Sequence, residues 1–302
     1  MLSSATNSTA HGPSQPSVSP TTRGNEVSSP RLEQLRIYPL KGAQGIAVQD
    51  WTIDALGLRL DRRWMLVDSG ARAINQKTNP LIALVGLSLD GEALRFNARG
   101  MSELCVSGSE DKASPSIMVD SMGSEVSARI VPGDASRWFG EFLGVSCTLV
   151  YMPDDSERWV DPAYAPNQRT SFTNGYPVHL ITRESVDLLN TRLEVAVGME
   201  RFRPNMIVAG GEPHQDDSWR RIRIGDVEFD VVKPCDHRCG MLNIDPETAE
   251  RGTEPVRTLA GYRKRGGWIA FGQNLVPAGT GRITAPQPIE VLERGSPRLP
   301  PE

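Results

Sequence analysis

Five consecutive residues, Cys235-Asp236-His237-Arg238-Cys239, bring two thiols, a carboxylate, an imidazole and a guanidinium together at the end of an alternating strand pattern. Free cysteine is among the most buried residue types, so the pair reads in one way as two small core hydrophobes. The three residues between them oppose that reading, because none of those side chains is buried cheaply. A cation beside a thiol favours the thiolate, so Arg238 is expected to lower the pKa of Cys239 and suit it to metal ligation or nucleophilic attack. A zinc site would need Cys235, Cys239, His237 and His214, yet no second Cys or His pair at the short spacing of structural zinc sites accompanies them. A redox dithiol is a further reading, although three intervening residues depart from Cys-x-x-Cys.

A second set of positions is cationic. In Phe202-Arg203-Pro204-Asn205 the proline restricts the backbone beside Arg203, just ahead of a strand-like run, and so holds the arginine in a defined place. A planar guanidinium fork suits a phosphate or a heteroaromatic ring, although a surface ion pair is the commoner fate of an arginine. Lys41 follows Tyr38-Pro39-Leu40, and Arg62 and Arg63 precede Trp64; each taken alone also reads as a solvated strand end.

The elements that must carry these residues are mainly β, with a few short helices (α+β). From Arg31 to about Val131 short strand-like runs dominate: Leu35/Ile37, Trp64 to Val67, Leu81 to Leu89, Ala93 to Phe96, Ile117 to Val119 and Val126 to Ile130. Asp90-Gly91 separates two of them as a tight hairpin turn. Asp134 is placed to cap a helix in which Trp138, Phe142 and Leu143 recur at helical spacing, with Gly144 at its end. Residues 151–171 hold Pro153, Pro162 and Pro166 and read as an irregular connection, so two domains are expected, 31–150 and 151–294, with a short tail over 295–302. In the second half Thr182 is expected to cap a helix burying Val186, Leu189 and Leu193, and Met206 to Ala209 is a strand stopped by Gly210-Gly211. Ile222/Ile224 and Val227/Phe229/Val231 flank Gly225-Asp226 as a hairpin that delivers the chain to Lys233-Pro234-Cys235. Another strand is expected at Met241 to Ile244. Thr253-Glu254-Pro255 opens a helix containing Val256, Leu259 and Tyr262, and Ile269, Leu275, Ile283 and Ile289 to Leu292 mark closing strands.

Composition narrows the classes of function. With 33 Lys+Arg against 37 Asp+Glu in 302 residues, the formal charge is −4, which argues against nucleic acid as a partner. No apolar run reaches the ~18 residues that a membrane-spanning helix needs. Cys105, Cys147, Cys235 and Cys239 are too scattered for a disulfide framework, so a reducing, cytoplasmic location is expected. Residues 1–30, rich in Ser, Thr and Pro with only Arg23 and Glu26 charged, are expected to be a disordered tail, and the basic start and apolar stretch of a secretory signal are missing.

The ordered motifs resemble the MOSC superfamily of molybdenum-cofactor proteins, in the branch that carries an additional N-terminal β-barrel domain. In the first half they are Ile37-Tyr38-Pro39-Leu40-Lys41-Gly42, Gly57-Leu58 and Asp61-Arg62-Arg63-Trp64-Met65-Leu66-Val67. In the second they are Phe202-Arg203-Pro204-Asn205, Asp217-Ser218-Trp219, Ile224-Gly225, Arg238-Cys239, Asp245-Pro246-Glu247-Thr248 and Phe271-Gly272-Gln273-Asn274. Relatives in this branch include the mitochondrial amidoxime-reducing components and bacterial reductases of N-hydroxylated bases. The resemblance implies an N-terminal β-barrel-like domain packed on a C-terminal MOSC barrel, with Cys239 as the protein ligand to molybdenum. It also implies that Lys41, Arg62, Arg203 and Arg238 surround the phosphate and pterin of the molybdenum cofactor (Mo-molybdopterin), with Asn205 orienting it. A soft thiolate suits such a metal.

The activity so implied is reduction of small N-hydroxylated compounds, namely hydroxylamines, amidoximes or N-hydroxy bases. Two features depart from the family pattern: Asn174-Gly175-Tyr176-Pro177 stands where relatives often carry an acidic residue before the proline, and Cys-Asp-His-Arg-Cys is one residue longer than the frequent Cys-x-Arg-Cys. The chain shows neither a four-cysteine iron–sulfur pattern nor a nucleotide-binding Gly-x-Gly-x-x-Gly after a strand, so a separate electron-donor protein is expected, such as a reductase or a ferredoxin-like or cytochrome b5-like protein. The alternative is a cofactor-binding or sulfur-carrier module, since MOSC domains are also attached to molybdenum-cofactor sulfurases.

Overall fold

Alternate residues along seven strands carry apolar side chains, and these strands close on themselves. The protein is represented by a computed structural model that describes residues 1–2, 29–91, 93–107, 112–236 and 240–297. Around the barrel Val178–Thr182 runs parallel to Met206–Ala209, which pairs antiparallel with Arg31–Ile37. Next come Gln287–Arg294, Trp219–Ile224, Val227–Asp236 and Trp268–Pro277, and the last of these pairs with Val178–Thr182 to complete the ring. Leu35, Leu180, Met206, Ile222, Phe229 and Leu275 meet in one buried core inside it. Period-two alternation puts them there, because successive side chains of a strand point to opposite faces. In Arg31–Ile37 the alternation slips, with Leu32 and Leu35 both buried, and a register shift between Leu32 and Gln34 brings them to the same side.

The barrel is discontinuous in sequence. Its strand Arg31–Ile37 lies ahead of the whole strand-rich region up to Tyr151, and the small sheet Asp50–Asp54/Gly57–Leu58 pairs with Gly281–Thr284. The intervening chain builds a second β unit from the sheet Ser116–Ser121, Ser124–Ile130, Thr148–Tyr151, Trp64–Val67, Ala73–Ile74 and the meander Gly86–Asp90, Ala93–Asn97, Leu104–Val106. Helix α1 (Ala135–Leu143) packs Phe139 and Leu143 into its core with Trp64, Leu66, Phe96 and Leu149. Outside the barrel, α2 (Arg183–Asn190) and α3 (Val256–Arg263) bury Val186, Leu189 and Leu259 against Ile181, Ile207 and Phe271, so the strands beneath them are apolar on both faces.

Three local expectations are corrected. Pro80–Leu84 is a 3₁₀ turn rather than the start of a strand: Asn79 Oδ1 accepts from the Leu81 amide at 3.2 Å and Pro80 fits the first helical position, so the strand begins only at Gly86. Met241–Asn243 is likewise a 3₁₀ turn, entered through Gly240 at φ +66° and closed by Asn243 N–H to Gly240 O at 3.1 Å. Asp134 and Thr182 precede their helices without capping them: Asp134 pairs with Arg137 at 3.0 Å, and the Thr182 hydroxyl lies 2.5 Å from that of Ser185. Among the described residues no helix is long and apolar enough to cross a membrane.

Candidate functional site

A cleft of about 440 Å³ opens where the strand-rich first half meets the barrel, and Lys41, Arg62, Arg203 and Asn205 all line it. These four come from segments more than 140 residues apart, so the tertiary fold assembles the group that the motifs only suggested. Its centre is the buried Tyr38, a residue that sequence reasoning quoted but gave no role. The Arg62 and Arg203 guanidinium carbons lie 4.3 Å and 4.4 Å from the Tyr38 ring centroid, and the Tyr38 hydroxyl donates to Pro204 O at 3.1 Å. The electron-rich ring offsets part of the repulsion between two like charges brought to one place.

Asn205 ties the two halves together. Its amide nitrogen donates to Arg36 O at 3.1 Å and to Asp61 Oδ1 at 3.0 Å, while its oxygen accepts from Arg62 Nη1 at 3.0 Å and from the His179 amide at 3.1 Å. Asp61 also accepts from the Tyr38 amide at 2.7 Å and pairs with Arg62 at 2.6 Å. Arg62 and Arg203 both hold left-handed backbones, φ +50° and +56°, a conformation that costs a non-glycine residue roughly 1–3 kcal/mol and persists where surroundings over-determine it. Here the surroundings include Arg62 N–H to Tyr38 O at 2.9 Å and Arg62 Nη2 to Arg203 O at 3.0 Å.

The donor set fits an anionic ligand. Arg203 donates to the carbonyls of Gly42 and Ala43, and among the described residues no carboxylate forms an ion pair with it. Enclosure, and next the neighbouring Arg62 charge, lower its pKa to about 10, and the Tyr38 hydroxyl and Asp61 carboxylate oppose that shift only in part. A phosphate or similar anion at this point would supply a counter-charge. Lys41 is buried and its ammonium is shared out along the cleft wall, donating to Phe172 O at 2.6 Å and Asn174 Oδ1 at 2.9 Å. It therefore braces the loop that leads to Tyr176-Pro177. Arg63 turns away from the cleft, to Met152 O at 2.9 Å and Asp154 at 2.6 Å.

Of the five-residue motif, Cys235 and Asp236 line the cleft, whereas His237, Arg238 and Cys239 lie outside the described residues. The chain resumes at Gly240, and Met241 and Leu242 again line the cleft, so both flanks of that segment border it. His214 is elsewhere, packed 5.7 Å from the ring of Phe271 and 6.0 Å from that of Tyr262 on the α3 side of the barrel. Behind the Phe271-Gly272-Gln273-Asn274 motif, Asp217 pairs with Arg263 at 2.8 Å and accepts from Gln273 at 2.9 Å. That buried network anchors the strand from which Asn274 reaches the cleft. Sequence reasoning had assigned no role to Tyr176, Lys233 or Trp268, all of which line it; aromatic residues scattered over distant segments give no spacing signal.

Residues 29–146 match the family described as the MOSC N-terminal beta barrel domain, and residues 167–291 match the MOSC domain. A mitochondrial amidoxime reducing component 2 of Rattus norvegicus is 30% identical over 245 residues, covering 77% of this chain and 72% of that protein. A mitochondrial amidoxime-reducing component 1 of Mus musculus is 28% identical over 279 residues, covering 86% of this chain and 82% of that one. A molybdenum cofactor sulfurase of Oryza sativa subsp. japonica is 31% identical over 267 residues, covering 82% of this chain but 32% of the sulfurase. The chain thus spans about a third of the length of the sulfurase it matches and most of the length of the amidoxime-reducing components. It belongs to the MOSC family, in the form that joins an N-terminal MOSC barrel to a MOSC domain.

Proposed function

We propose that the protein is a molybdenum-cofactor-dependent reductase of N-hydroxylated compounds, including hydroxylamines, amidoximes and N-hydroxy bases. The observation that carries this is the cationic group around Tyr38, with an Arg203 that no carboxylate among the described residues pairs, in a cleft bordered by both flanks of the Cys235–Cys239 segment. Similarity to proteins named for amidoxime reduction over most of their length supports it. In this reading Arg62, Arg203 and Arg238 hold the phosphate and pterin, Lys41 braces the wall beside them, Asn205 orients the group and Cys239 ligates the metal. When bound, the cofactor supplies two-electron reduction of an N–O bond, overall R–NHOH + 2 e⁻ + 2 H⁺ → R–NH₂ + H₂O. The electrons come from a separate donor protein, and the dispersed cysteines suit a reducing, cytoplasmic setting.

A second reading, a cofactor or sulfur carrier, draws on the 31% identity to the sulfurase. Metal analysis with activity separates the two. Purified protein is expected to hold molybdenum near one per chain and to reduce a hydroxylamine with reduced viologen, but not with NADH or NADPH alone. Cys239→Ser should lose metal and activity while Cys235→Ser keeps most of both, because a hydroxyl is a poor soft ligand. Persulfide on Cys239 without molybdenum would favour the carrier, and metal loss only in Cys235→Ser would move the ligand.

A further inference from the structure

The cleft has a second chemical character, distinct from the cationic group around Tyr38. The Lys233 ammonium lies 3.8 Å from the ring centroid of Trp268 and 4.7 Å from that of Tyr164, and Tyr164 meets Tyr176 edge-on at 6.4 Å. Lys233, Trp268 and Tyr176 all line the cleft. Lys233 and Cys235 lie on one strand and both line the cleft, which sets this aromatic and cationic patch beside Cys235. The strand is held in place there, since Asn274, its register partner at Lys233, donates to Pro234 O at 3.4 Å.

Two rings fixing one ammonium keep the charge of a flexible side chain at a defined place. Elsewhere in the wall Arg62 pairs with Asp61, Arg201 pairs with Asp245 at 2.8 Å, and the Asp236 carboxylate accepts from the Ile269 amide at 3.3 Å. Among the described residues five cations and one carboxylate line the cleft, which makes its field attractive to anions. Tyr176 and Trp268, both in the lining, add aromatic surface to which a flat apolar body is attracted.

We propose that Lys233, with Trp268 and Tyr176, forms a substrate-selecting patch that favours N-oxygenated compounds whose aromatic ring carries a carboxylate or similar anion. The inference rests on the reductase reading and adds a substrate class to it. The test compares 4-carboxybenzamidoxime with neutral benzamidoxime on the full-length holoprotein, using reduced viologen. The wild-type KM should be about tenfold lower for the anionic compound, a ratio that Lys233→Met abolishes and Lys233→Arg retains, with the ratio of kcat values near constant. A calorimetric titration with terephthalate, which cannot be reduced, gives an independent readout, and its binding should weaken about tenfold in Lys233→Met. An unchanged KM ratio or unchanged terephthalate binding in Lys233→Met overturns the proposal. If neither amidoxime is reduced, the titration alone decides: charge-dependent loss keeps the patch while the reductase reading falls, and equal binding removes the patch.

Discussion

Tyr38 shows how one side chain can organise a site without any reactive group of its own. Its ring faces two guanidiniums and its hydroxyl and amide both bond to the segments that carry them. Arg203→Ala should lower cofactor occupancy by an amount corresponding to about 1.5–3 kcal/mol, the value of a hydrogen bond to a charged group, while folding survives. Tyr38→Leu should lower occupancy as well and Tyr38→Phe less, because the ring contacts outweigh the single bond to Pro204 O; normal cofactor content in Arg203→Ala and Tyr38→Leu, measured by metal analysis, would remove the role. A second residue-scale effect concerns Asp216, buried with its carboxyl pushed up to about 7 by burial and then by Asp217. Arg263 and Gln273 oppose that shift, and the nearby His214 is held neutral, its pKa lowered to about 4 by burial. Because Asp216 titrates near 7 in the folded chain and near 3.8 otherwise, its stabilising neutral form is present in acid and lost as pH rises through about 7. Stability should therefore fall with rising pH by up to about 1.4 kcal/mol per unit between about 3.8 and 7 and level off above about 7, and Asp216→Asn should flatten the slope in thermal unfolding across pH 4 to 7.

The closing seam of the barrel depends on one backbone position. Gly272 sits in Trp268–Pro277 at φ +72°, and a Cβ there would lie 2.5 Å from Leu180 O and 2.6 Å from Ile181 Cγ1. Those atoms belong to the strand that closes the ring, so neither the backbone nor its neighbour has room to yield. Gly272→Ala should destabilise by roughly 2–5 kcal/mol, the sum of left-handed strain and overpacking, read as a drop in thermal midpoint. Periodicity foretold most elements: the hairpin around Gly225, the helices α1 to α3 and the strand Met206–Ala209 stand where alternation or helical spacing put them, except that α2 ends at Asn190 and Leu193 packs on the core from beyond it. It failed at Pro80–Leu84 and Met241–Asn243, where short apolar runs read as strands but local bonds of a proline-led or glycine-led turn decided the outcome.

At the scale of the molecule, the first described strand belongs to the barrel whose other strands all come from the second half of the chain. Arg31–Ile37 pairs with Met206–Ala209 and Gln287–Arg294, and the Ile289 amide donates to Pro30 O at 3.0 Å. Removing residues 1–28 should leave the thermal midpoint and cofactor content unchanged, whereas a chain starting at Tyr38, or residues 151–294 alone, should fail to fold cooperatively, as judged by circular dichroism and amide exchange. Cooperative folding of residues 151–294 would show that the barrel closes without its inserted strand. What the sequence determined by itself was the set of local habits and the ordered motifs: a mainly β chain, the turns at Asp90-Gly91 and Gly225-Asp226, and motif residues whose family resemblance pointed to an anion-binding cleft. Those depend on interactions within a few residues, which linear spacing records. What only the tertiary structure decided was the discontinuous barrel, the placing of Tyr38 against both Arg62 and Arg203, and the meeting of Lys233 with Trp268 and Tyr164. Such contacts join distant segments, Tyr38 to Arg203 across 165 positions and the barrel pair Arg31 to Pro288 across 257, and they arise from strand pairing and burial, which no local pattern encodes.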